Sequence, residues 1–67
     1  MHIKRFKMLN IGDYFYKLNS NGVVQKDKIY QKVESTYDQY GELNAREYNN
    51  PNNAIFMSKD MLVEVIR

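Results

Sequence analysis

The stretch Lys28-Ile29-Tyr30-Gln31-Lys32-Val33-Glu34-Ser35-Thr36-Tyr37 decides the fold. Read with period two, Ile29, Gln31, Val33, Ser35 and Tyr37 share one face, and Lys28, Tyr30, Lys32, Glu34 and Thr36 share the other. Read with a helical period, Tyr30, Val33, Tyr37 and Tyr40 form a stripe, with Asp27 as a cap and Gly41 as a terminator. Ile29, Val33, Thr36 and the tyrosines are mediocre helix formers and good strand formers. The strand reading is therefore preferred. An α+β chain with a helix around residues 28–40 is the alternative.

Turn signals bound this segment on both sides. Ser20-Asn21-Gly22 reads as a hairpin turn of type I′, because Asn-Gly tolerates the positive φ that turn needs. Asp38-Gln39-Tyr40-Gly41 and Ser58-Lys59-Asp60 punctuate the chain further on. Asn49-Asn50-Pro51-Asn52-Asn53 reads as a loop, since Asn bonds its own backbone and Pro51 lacks an N–H. Between these points lie Asp13–Leu18, rich in aromatics, the segments holding Leu43 with Ala45 and Ala54 with Phe56, and the run containing Val63 and Val65. Five short strands and short turns predict an all-β, five-stranded antiparallel fold. The expected core is Phe6, Leu9, Ile11, Phe15, Ile29, Val33, Phe56, Val63 and Val65.

The chain has 67 residues and no Cys, so residues 1–67 form one domain with no disulfide or cysteine–zinc staple. A core this small favours a closed barrel, which hides sheet edges. Net charge is only +2, too mild a field to impose nucleic-acid binding. No run approaches the ~20 apolar residues of a membrane span, and no apolar run follows the basic start as a secretory signal would need. The expectation is a soluble, intracellular, unprocessed protein with no membrane partner.

The catalytic inventory is thin. The sole His is His2, near the terminus, and Ser20, Ser35, Ser58 and Thr36 lack a nucleophile elbow. The eight carboxylates are spread along the chain with no metal-ligand spacing. We expect no enzyme, no metal and no cofactor. The binding inventory is richer, with six Tyr. Tyr offers a large contact area at low entropy cost. Candidate protein-contact residues are Tyr37, Tyr40, Tyr48, Asn50 and Asn52. A second candidate set, for single-stranded DNA or RNA, is Lys4, Arg5, Lys7, Lys17, Lys28 and Lys32, interleaved with aromatics as stacking surfaces require.

Three pieces of the sequence also form a pattern: Phe6-x-x-Leu9-x-x-Gly12-Asp13-x-Phe15, Tyr30-x-Lys32-Val33, and Val63-Glu64-Val65-Ile66. This resembles a loose group of short proteins, mostly from tailed bacteriophages, that form small SH3-like β-barrels. The resemblance spans Phe6 to Ile66. It implies a five-stranded SH3-like barrel and a non-enzymatic phage protein in the host bacterial cytoplasm. Such a protein would attach to a host or defence protein and inhibit or redirect it. A nucleic-acid module, a phage structural accessory and a self-assembling oligomer stand as alternatives; the oligomeric state is open. The segment Thr36–Asn53 has no counterpart in the pattern, so individual function is expected there. Area scaling predicts about 4,400 Å² of surface, of which a standard interface would take ~800 Å².

Overall fold

Residue 30 settles the reading of the central segment. Tyr30 lies directly opposite Phe15, which is fully buried, and is itself 7% exposed. Their rings stack at 5.8 Å. The segment is thus a strand, and the helix around residues 28–40 does not form. In this computed structural model, which describes residues 2–66, the strand runs unbroken from Val24 to Asp38.

The elements are β1 (Ile3–Arg5), a single 3-10 turn (Phe6–Met8), β2 (Tyr14–Leu18), β3 (Val24–Asp38), β4 (Gly41–Glu47), β5 (Asn50–Ile55) and β6 (Leu62–Ile66). They form one six-stranded antiparallel sheet in the order β1-β6-β2-β3-β4-β5. The expected count of five misses β1, a three-residue edge strand too short to show a pattern. The order ends on β1 and β5, and no pairing joins them among the described residues. β3 pairs with β2 along its first half and with β4 along its second. Register shifts interrupt both ladders, between Phe15 and Lys17 and between Lys32 and Thr36. Such irregularities bend a strand and sharpen its twist, so 15 residues curve round one core instead of lying flat.

That core is Phe6, Leu9, Phe15, Tyr30, Ala45, Met57, Val63 and Val65, with Ile55 packed against it. Five expected members are borne out, and four are not. Ile11 and Phe56 are 57% and 54% exposed, while Ile29 and Val33 are half-buried. In β3 the reason is that the larger side chain takes the inner position. Tyr30 brings more area to Phe15 than Ile29 would, and the breaks in register upset simple alternation. Lys32 follows Tyr30 inward. Its stem is half-buried, and its ammonium donates to the carbonyls of Phe6 (3.1 Å) and Leu9 (2.8 Å), 4.7 Å from the Phe6 ring centre. Long amines bury their stems this way when the charged head finds partners.

At Phe56 the cause is Asn44. Its amide donates to the Met57 carbonyl (2.9 Å), and its carbonyl accepts from the Met57 N–H (2.7 Å). One side chain thereby continues the ladder beyond β5, turning Met57 inward (2% exposed) and Phe56 out.

The turns also differ in detail. Asn21 does not have positive φ, which excludes type I′. Gly22 donates to the Asn19 carbonyl and carries φ +79, so the glycine follows the turn as a bulge residue. The Asn side chain of position 19 accepts from the N–H groups of Asn21 and Val23. In the Asn-rich segment only Tyr48–Asn49 turns, and β5 begins at Asn50. Pro51 is tolerated there because β5 is an edge strand with a break in its register.

Candidate functional site

The β3–β4 hairpin presents the most exposed aromatics. Two residues, Gln39 and Tyr40, span the turn between the paired Asp38 and Gly41. The Asp38 carboxylate accepts from the N–H groups of Tyr40 (2.7 Å) and Gly41 (3.1 Å), and Gly41 supplies a φ of +131. This local clamp holds Tyr37 and Tyr40 outward, 77% and 88% exposed. Tyr37 stands opposite Glu42, whose carboxylate accepts from the Ser35 hydroxyl.

Tyr48, Asn50 and Asn52 lie elsewhere. They sit at the far end of the seven-residue β4, ~20 Å along the strand from the hairpin tip. Tyr48 packs edge-on against Tyr14 (5.5 Å, 81°) and, with Ile29 and Ile66, lines a shallow depression of about 340 Å³ on the outer sheet face. The structure therefore divides the expected protein-contact set into two groups.

The basic set is divided too. The register places Lys4 and Lys17 on either side of Val63 in one row across the sheet. Lys7 pairs with Asp60 at 3.4 Å, and Arg5 donates to the Asp60 carbonyl. Lys28 stands 4.0 Å from Glu47, and Lys17 lies 5.6 Å from the Tyr30 ring centre. Lys32 is committed to the two carbonyls described above. No continuous strip of free cations follows from this placement.

A third surface escaped the sequence reading. A groove of about 550 Å³ runs between the 3-10 turn, the β3–β4 hairpin and the segment after β5. Ile11, Val33 and Phe56, expected in the core, form its walls together with Phe6 and Met57. Lys7, Lys32, Lys59 and Glu42 supply its charges. A signal for it was available. The chain carries more large apolar side chains than eight core positions absorb, and two of the exposed ones, Ile11 and Phe56, line this opening.

Carboxylates mostly serve turns and pairs: Asp13 caps the Asn10 N–H, Asp38 its turn, and Glu47 accepts from Asn53. Among the described residues no three His, Asp or Glu side chains gather to hold a metal ion, and no helix is long and apolar enough to cross a membrane. No protein-family model, curated protein or solved structure matches this chain.

Proposed function

We propose that this chain is a non-enzymatic binding protein of tailed-phage origin, built as a small SH3-like barrel, that attaches to a bacterial host or defence protein and inhibits or redirects it. The observation that carries the protein-binding reading is the clamped hairpin tip, where Tyr37 and Tyr40 are 77% and 88% exposed. A monomer gains nothing in its own core from two such rings. Tyr in a rigid, exposed setting is the side chain that protein interfaces enrich at their centres. The phage assignment rests on the sequence resemblance. The barrel assignment rests on that resemblance and on the strand order β6-β2-β3-β4-β5, with long β3 shared by both halves.

The total surface is 4823 Å². A standard interface of ~800 Å² per partner would take about a sixth of it, which a molecule of this size accommodates. The test is affinity capture from bacterial lysate with the wild type and a Tyr37→Ala/Tyr40→Ala variant. A specific protein retained by the first and lost by the second supports the reading. Equal retention by both, or none by either, sinks it. The nucleic-acid alternative predicts instead retention of single-stranded oligonucleotides that falls steeply with salt.

A further inference from the structure

The groove beside the hairpin carries an unbalanced charge. Lys7, Lys32 and Lys59 line it against one carboxylate, Glu42. Lys7 pairs with Asp60, outside the lining, and Glu42 keeps its charge while accepting from Ser35, so three lysines against these two carboxylates leave one net positive charge. Among the described residues no carboxylate stands within ion-pair distance of Lys32 or Lys59. Lys32 is the telling one. An ammonium has three N–H donors, and two are used by the carbonyls of Phe6 and Leu9. Carbonyl dipoles satisfy hydrogen bonds but leave the net charge uncompensated, in a half-buried position beside apolar walls.

Those walls are exposed apolar side chains. Ile11 is 57% and Phe56 54% exposed, and Val33 lines the groove with them. The half-buried Lys32 and the exposed Lys59 next to apolar side chains complement a carboxylate with an aliphatic or aromatic neighbour. Charge-assisted N–H···O contacts are the strong ones in such a setting. The groove is also continuous with the hairpin. Residues directly opposite in an antiparallel ladder share a face, so Tyr37 stands on the same side as Glu42, which lines the groove.

We infer that the groove formed by Ile11, Val33, Phe56, Lys32 and Lys59 takes an extended acidic–apolar segment of a partner protein, with its carboxylate on Lys32 and Lys59 and its apolar side chain against Phe56 and Ile11. This rests on the protein-binding reading and names the chemistry of its partner. The groove and the tyrosine tip then form one contact surface along the β3–β4 hairpin.

The test is a selection of random displayed peptides of about seven residues, ~23 Å when extended, on the immobilised full chain. Recovered sequences are synthesised and titrated into isotope-labelled protein, following backbone amide shifts. The expected result is enrichment of Asp or Glu beside Leu, Ile or Phe. The largest shifts should fall on residues 7–11, 32–35 and 56–59. Replacing the peptide's acid by its amide should weaken binding about tenfold, the effect of one charge-assisted hydrogen bond. Lys59→Glu and Phe56→Ala, both exposed positions that spare the core, should do the same, and Tyr48→Ala should not. Neutral or basic consensus sequences, shifts confined to the outer sheet face, or groove shifts produced instead by oligothymidylate or by raising the protein's own concentration would each overturn the inference. If it falls while Tyr37- and Tyr40-dependent capture of a protein persists, the protein-binding reading stands without the groove. If that capture also fails, the reading itself is lost.

Discussion

Lys32 was legible as a strand residue but not as a structural one. Its face-mates Lys28, Tyr30, Glu34 and Thr36 make a mixed, mostly polar face, and a lysine there reads as solvated. In the fold its ammonium ties the 3-10 turn to β3 through two carbonyls. Lys32→Met keeps the stem and removes the donors. It should lower unfolding free energy by roughly 1–3 kcal/mol, visible as a lower urea midpoint at unchanged slope. An unchanged midpoint would mean that water replaces the amine without loss. Phe15 and Phe56 make the complementary case. Both are aromatic and both were expected inside, yet one is fully buried and the other 54% exposed. Phe15→Ala should cost ~3–5 kcal/mol, a large share of the roughly 3–10 kcal/mol that a domain of this length holds. Phe56→Ala should stay within ~0.5 kcal/mol. Thermal melts followed by circular dichroism would distinguish them, and the reverse order would contradict the face assignment.

At the scale of elements, strand existence followed from composition and punctuation, whereas inward direction did not. Val63 and Val65 were placed correctly because β6 is short and unbroken by a register shift. In β3 the breaks in register interrupt the alternation that would tell which side chain faces the core, and nothing local in the sequence marks those breaks. The exit from β5 depends on a pairing thirteen residues away in sequence, the double hydrogen bond of Asn44 with the Met57 backbone. Asn44→Ala should leave two half-buried backbone groups without partners and cost about 1–3 kcal/mol. Hydrogen exchange should report it locally, with the Met57 amide losing protection well before those of Phe15 or Val65. Uniform loss across all three would show instead that the segment after β5 is inseparable from the whole sheet.

For the whole molecule, the governing question is how the sheet ends are protected. β1 is three residues long and carries Lys4 and Arg5, and β5 carries Pro51 within a break in its register. Short, charged or proline-bearing edges resist edge-to-edge pairing. Pro51→Val should therefore raise the self-associated fraction relative to wild type in concentration-dependent light scattering; identical scattering would mean that the edge is protected by other means. The sequence alone is enough for the class of object: an all-β chain, its turns near positions 20, 40 and 58, five of its eight core residues, and an aromatic-rich surface. Those properties follow from local backbone preference and from alternation over a few residues. The face of β3 that turns inward, the tie made by Lys32, the split of the tyrosines into two groups, and the groove that Ile11, Val33 and Phe56 line with Lys32 and Lys59 come from tertiary packing. Each of these depends on strand register and on contacts between segments distant in sequence. A period-two pattern cannot carry that information once the strands bend.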